Sequence, residues 1–232
     1  MNVNNAKGKL YLATIFVVNI IALYMIFIWS PPLVVGAEVP TDPNVFRIFY
    51  LHVPAGMVAY ISFAITLIGS ILYLWKKDLK WDTLAAASAK LGIIFCGAVL
   101  LLGSIWAENA WGTYWNWDPR ETTTLLLFFA YVAYLAYRMA FEDIEKRARL
   151  SSVLGILAFV TVPLSYLSVM IWQSLHPIVI SLGNVTLSPP IADTLIVSVI
   201  GQLLIFFFAL YLTVKVDTLT EKIEKIKAEE GS

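Results

Sequence analysis

Apolar residues along the chain gather into six long runs, at residues 10–29, 53–75, 84–106, 122–141, 153–172 and 191–214, separated by short polar stretches. A bilayer's hydrocarbon core takes about 20 apolar residues to cross as a helix. Helices and closed barrels are the structures that satisfy their own backbone groups there. The pattern therefore predicts an all-α membrane protein with six transmembrane helices. Several runs end in Trp or Tyr, as amphipathic rings do at the headgroup level. The first run could be read as a signal peptide, because Val35, Gly36 and Ala37 follow it. It is longer than a usual signal core and carries on to Pro31 and Pro32, so a retained helix is expected.

The polar positions orient these helices. One side collects Lys7, Lys9, Lys76, Lys77, Lys80, Lys90, Arg138, Lys146, Arg147, Arg149, Lys215, Lys222, Lys225 and Lys227, which is 14 of the 16 basic residues. Cytoplasmic loops hold the excess of Lys and Arg. Both termini are then cytoplasmic, and the loops at 30–52, 107–121 and 173–190 face outward, with Arg47 and Arg120 as their only basic residues. Residues 1–215 read as a single six-helix domain of the cell (inner or plasma) membrane, and 216–232 as a charged cytoplasmic tail, a short helix fraying into solvent. Asn184-Val185-Thr186 matches a glycosylation sequon, a pattern too short to carry weight.

Composition agrees. With 59% hydrophobic and 14% charged residues in 232, the chain has too little polar surface to cover a soluble domain. Its zero formal net charge gives no reason to expect a nucleic-acid partner. Cys96 is the only cysteine and lies in an apolar run, so it forms no internal disulfide and reads as a small buried residue. No ionisable residue falls in the middle of any run, which disfavours an ion-coupled transporter. Asn19, Thr66, Ser104, Ser165 and Gln202 are expected to hydrogen-bond between helices.

The candidate chemistry lies in the outward loops. Trp111-Gly112-Thr113-Tyr114-Trp115-Asn116-Trp117-Asp118 places four aromatic rings in eight residues. Such a surface could lie on lipid headgroups, pack on neighbouring loops, or accept a large flat apolar ligand. Asp118 before Pro119, with Glu121 following, reads as a capping box opening the fourth helix. The only two histidines are both outward: His52 just before the second helix and His176 just after the fifth. Either alone could be a polar interfacial residue, but two imidazoles could clamp a haem iron. The positive end of the second helix would keep His52 neutral. Zinc competes poorly, since it usually needs three or four protein ligands and the loop adds only Asp118 and Glu108. Arg47 and Arg120 could pair with haem propionates. They could instead form salt bridges with Glu38, Asp42, Glu108 or Glu121.

At these residues the sequence resembles the haem handling proteins, marked by a tryptophan-rich "WWD" loop flanked by outward histidines. The run from Trp111 through Pro119, Arg120, Glu121 and Thr122 carries the likeness. So do Arg47-Ile48-Phe49-Tyr50-Leu51-His52-Val53-Pro54-Ala55, and the stretch from Val162-Pro163 to Trp172-Gln173-Ser174-Leu175-His176. In size and layout the chain is similar to the haem exporter (cytochrome c maturation) protein C branch. Pro119 and Glu121 depart from it, standing where that branch often has Ala and Leu, and Asp118-Pro119-Arg120-Glu121-Thr122 instead resembles the larger cytochrome c synthetases of the same superfamily.

The resemblance implies that His52 and His176 are axial ligands of a non-covalent haem b. It implies that the loop, with Trp111, Gly112, Tyr114, Trp115, Trp117 and Asp118, holds the haem edge. It also implies presentation of haem to a membrane-anchored haem chaperone for c-type cytochrome biogenesis, with ABC transporter subunits as further partners and no bond chemistry by this chain. The competing expectations are a minimal synthetase attaching haem to apocytochrome c and an electron-carrying cytochrome b. Histidines at helix ends argue against the latter, which normally holds its pairs within the membrane.

Overall fold

The computed structural model describes residues 5–31, 44–176, 180–181, 184–185 and 187–230. Seven α-helices follow in order: α1 (Ala6–Tyr24), α2 (Phe49–Lys76), α3 (Leu79–Trp111), α4 (Pro119–Met139), α5 (Ile144–Ala158), α6 (Thr161–Ile171) and α7 (Pro189–Glu230). A π-helical turn, Met25–Trp29, extends α1, and a 3-10 turn, Val45–Ile48, leads into α2. The α6–α7 connection contains a minimal antiparallel pair, Ile180–Ser181 with Asn184–Val185. α5 and α6 together make one span, so six helical segments are long and apolar enough to cross a membrane. This is the architecture that the six apolar runs predict, and the chain is a multi-pass membrane protein.

The helix ends differ from the hydropathy pattern in ways that matter. α2 starts at Phe49 rather than 53, because Phe46, Phe49 and Tyr50 bury against Ile191, Leu195 and Trp106 and draw that segment into the bundle. His52 therefore lies within the first turn of a helix, not before it. α3 runs on to Trp111 and closes on Gly112, whose φ of 72° supplies the left-handed cap that glycine adopts freely. α7 continues as helix through Glu230, about 60 Å at 1.5 Å per residue and twice the thickness of a hydrocarbon core of about 30 Å, so the expected short tail helix is an extension of the last span. The fifth span breaks at Phe159 and Val160, ahead of Pro163, which lacks an amide hydrogen for the helical ladder.

Because lipid tails are as apolar as Leu, close packing and hydrogen bonds hold such a bundle together. α2 and α3 form its centre. Ala85, Ser88 and Gly92 of α3 lie against Gly69, Thr66, Ser62 and Phe63 of α2, and Ala87 joins a buried cluster with Val58 of α2 and Phe206 of α7. A Cβ on Gly92 would stand 2.5 Å from the Phe63 ring, and one on Gly69 2.9 Å from the Trp81 carbonyl, so neither position has room for a side chain. Ser88 donates to the Ser62 carbonyl at 2.8 Å and Thr66 to that of Ala85 at 3.2 Å. Asn19 bonds across to Gly201, and Gln202 to Leu51, as interhelical partners should. Ser165 bonds both Tyr60 and Thr124. Ser104 departs from expectation and donates to Leu101 in its own helix. Cys96 is buried.

At the end of the bundle away from the tryptophan loop, Arg138 of α4 makes a bidentate pair with Asp82 of α3, at 2.5 and 2.8 Å, with both side chains buried. It closes the α3–α4 contact where the two helices are furthest from their shared loop.

Candidate functional site

The loop end is organised around the last turns of α3. Trp106 takes edge-on contacts from three rings, Phe46 at 5.8 Å, Phe49 at 5.9 Å and His52 at 5.7 Å between centroids. One turn before it, Gly103 lets the His52 ring lie against the helix backbone. A Cβ there would come within 2.8 Å of the His52 Cε1. The Nδ1 of His52 is buried without a hydrogen-bond partner, the nearby Val99 carbonyl lying outside bonding geometry. Nε2 is then the nitrogen left for a ligand.

His176 is mounted differently. Its Nδ1 lies 2.9 Å from Asp118 Oδ1, and its ring packs edge-on to Trp111 at 4.9 Å. An ionised carboxylate only accepts, so Nδ1 carries the hydrogen and Nε2 keeps its lone pair. The same carboxylate accepts from Ser174 Oγ at 2.9 Å and from the Leu175 N–H at 2.7 Å. It also takes the Arg120 N–H at 2.9 Å, which is the N-cap bond of α4. Burial raises the Asp118 carboxyl, but the Leu175 and Arg120 amides and the Ser174 hydroxyl outweigh it and hold the group below the ordinary carboxylate range. Burial pushes the His176 imidazole below 6.5 despite the upward pull of Asp118, which favours the neutral form.

Asp118 thus caps α4 as its sequence position suggests, and also fastens the segment that follows α6. The reciprocal arm of the capping box lands elsewhere than expected: Glu121 accepts from the Asn116 N–H at 3.1 Å, while the Asp118 N–H goes to Asn116 Oδ1 at 2.9 Å. These bonds hold residues 112–118 in one shape. Within it Trp117 adopts a left-handed φ of 61°, uncommon for a bulky residue, and its ring is 72% exposed. Tyr114 is likewise exposed, and Trp115 meets Trp117 edge-on at 5.9 Å. Tyr114 and Trp117 thus present exposed rings, whereas Trp111 packs on His176 after α6.

The two histidines and Arg120 lie within electrostatic range of one another. Arg120 Nη1 donates to the Tyr60 hydroxyl at 3.2 Å, and its guanidinium lies over the Tyr166 ring at 6.0 Å. Among the described residues no carboxylate pairs with it, so the expected salt bridge to Glu108 or Glu121 is not formed, and its other donors remain available. Arg47 is not available in this way. It donates to the carbonyls of Ile26 and Ser30 and to Asn44 Oδ1, tying off the end of the first span. Its suggested partners Glu38 and Asp42 lie outside the described residues. Trp106, Gly103, Ser174 and Tyr60 are site-building residues that the motif does not reveal. Gly103 and Trp106, three apart on one helical face, are the only sequence signal for any of them.

Among the described residues no three His, Cys, Asp or Glu side chains converge as a metal-ion site. Two imidazoles with no third protein ligand suit an iron whose equatorial positions are filled by a macrocycle, and exposed aromatic faces suit the macrocycle itself.

Comparison with known proteins identifies the family. Residues 3–229 match the family model described as heme exporter protein C. The heme exporter protein C of Bradyrhizobium diazoefficiens is 32% identical over 163 residues, 69% of this chain and 62% of that protein. The Escherichia coli protein of the same name is 37% identical over 136 residues, 57% of this chain and 54% of that one. That of Haemophilus influenzae is 32% identical over 188 residues, 78% and 75% respectively. The first two alignments thus span only about half to three-fifths of each relative's length. With nearly every residue inside the family match, the chain belongs to the heme exporter protein C family.

Proposed function

We propose that this protein holds non-covalent haem b on the outer face of the cell membrane and delivers it to a membrane-anchored haem chaperone for c-type cytochrome biogenesis. The observation that carries this reading is the Asp118–His176 pair, which presents a neutral imidazole beside His52 against the aromatic end of α3. When bound, haem supplies an iron with two open axial positions and a flat apolar ring with two carboxylates. His52 and His176 offer Nε2 to that iron. Trp111, Gly112, Tyr114, Trp115 and Trp117 form the surface for the ring edge, and the free donors of Arg120 suit a propionate. Arg47 is the weaker candidate, because its Nη1 and Nε are engaged by the Ile26 and Ser30 carbonyls and by Asn44.

The outward assignment is supported by the sparse basic residues at the loop end against Lys76, Lys77, Lys80, Lys146, Arg147 and Arg149 at the other. The relatives' printed name supports haem as the cargo, and ABC transporter subunits stand beside the chaperone as the further partners of this reading. The name shared by the family model and the relatives, heme exporter, supports a role in transfer rather than catalysis. The test is the absorption spectrum of the detergent-purified protein, oxidised and reduced, beside His52→Ala and His176→Ala. A low-spin haem spectrum that weakens or turns high-spin in each variant is expected. A wild type that takes up no haem would overturn the proposal.

A further inference from the structure

The two histidines are mounted unequally. The Nδ1 of His176 donates to a carboxylate that four donors hold in place: Arg120 N–H, Ser174 Oγ, Leu175 N–H and the imidazole itself. Among the described residues the buried Nδ1 of His52 has no carboxylate behind it and no partner in full hydrogen-bond geometry, the Val99 carbonyl being the acceptor nearby. A carboxylate behind an imidazole fixes its tautomer and ring orientation and raises its basicity as a metal ligand. An imidazole that binds metal through Nε2 must keep its hydrogen on Nδ1. For His52 the acceptor at hand is the neutral Val99 carbonyl, which supports a metal ligand less than a carboxylate does. Orientation differs as well, since Asp118 bonds the His176 ring directly, whereas His52 lies in contact with Gly103 and Trp106.

We infer that the site has one fixed and one releasable ligand: His176 is the anchor that keeps the iron, and His52 is the ligand that lets go when haem is handed on. This rests on the haem-holding reading above. In the release step the iron–Nε2 bond of His52 breaks, its electron pair returns to the imidazole nitrogen, and an incoming Lewis base from the acceptor fills the vacated position. No oxidation or proton transfer is required. A carrier with two equally strong ligands would hold its cargo against any acceptor, whereas one weak ligand opens a coordination position while the other prevents loss to solvent.

The experiment uses the full chain in detergent, loaded with ferric haem. A wild type lacking a six-coordinate low-spin spectrum would sink the haem reading itself, independently of the ligand ranking. Given that spectrum, haem loss to excess apomyoglobin is timed for His52→Ala and His176→Ala. Loss from His176→Ala is expected to be at least about tenfold faster, the low end of what outer-shell support of a metal ligand is worth. Failure of His176→Ala to load where His52→Ala loads gives the same ordering.

A second measurement covers the case in which neither variant loads. Carbon monoxide is added to the reduced wild type and to Asp118→Asn, and the iron–carbon stretch is read by resonance Raman. If carbon monoxide replaces His52, the ligand opposite it is His176 and the band shifts when Asp118 is changed. Equal loss rates, faster loss from His52→Ala, or a band indifferent to Asp118 would overturn the ranking.

Discussion

The Asp118 carboxylate and the His176 ring, 58 residues apart in sequence, meet at 2.9 Å and join the loop after α3 to the segment after α6. One side chain therefore has two tasks, capping α4 and holding His176. They can be separated by substitution. Asp118→Asn keeps a good N-cap residue but loses the negative charge behind the imidazole, so haem affinity should fall about 10- to 100-fold with little change in unfolding temperature. Asp118→Ala loses the cap as well, at about 1 kcal/mol, and should lower both. Haem titration beside thermal unfolding in detergent checks the split.

The close approach of Gly103 to His52 gives a second test. In Gly103→Ala the new methyl would meet the His52 Cε1 at 2.8 Å, so the ring must move. The expected result is a haem spectrum converted toward high spin in a protein that still purifies as a stable fold. An unchanged low-spin spectrum would show that His52 ligates from some other position.

Trp117 offers a case in which stability and binding should move in opposite directions. Its left-handed backbone costs about 1–2 kcal/mol for a residue with a Cβ, and its ring is largely exposed. Trp117→Gly relieves the backbone and removes the ring. Unfolding temperature should hold or rise while haem retention falls, and a parallel loss of both would mean that the ring supports the loop instead.

Acid should weaken haem binding late. Burial keeps the folded His176 below 6.5, and in the proposed site the neutral form would be the ligand. Protonation competes only as the pH falls below that value. Occupancy measured against pH should be flat from 8 down to 6.5 and decline beneath it. A midpoint above 6.5 would mean that the Asp118 charge outweighs burial.

At the far end of the bundle, Asp82→Ala leaves Arg138 buried without its partner, which should destabilise by about 3–5 kcal/mol. Replacing both by Leu should recover most of that, since a well-packed apolar pair often matches a buried ion pair. Haem spectra of every variant that folds should be unaltered.

The spans and the aromatic loop are legible in the sequence because each is local: a run of 20 apolar residues, or four rings in eight positions, announces itself. The cap at Asp118 is legible for the same reason, since Pro119 follows directly. What joins distant segments is not. No periodicity tells that Ser174, Leu175 and His176 converge on Asp118, or that Asp82 pairs with Arg138 across 56 residues. Arg47 is the instructive case. Being one of two cations in the loops read as outward suggests a ligand role, and nothing in the pattern tells that its Nη1 is engaged by the carbonyls of Ile26 and Ser30 at the end of the first span. The early start of α2 is similar: Arg47, Tyr50 and His52 interrupt the hydropathy of the 46–53 segment, while burial of Phe46 and Phe49 in the bundle decides its conformation.

The break in the fifth span separates two mechanical tasks. α5 packs on α2 and α4 near the Asp82–Arg138 pair, whereas α6 packs on α4, is bolted to it through Ser165 and Thr124, and carries His176 just beyond its end. A continuous rod would carry a tilt at one end through to the other. Here the helix is interrupted at Phe159 and Val160, so a tilt of the half that carries His176 need not pass through the half beside the Asp82–Arg138 pair.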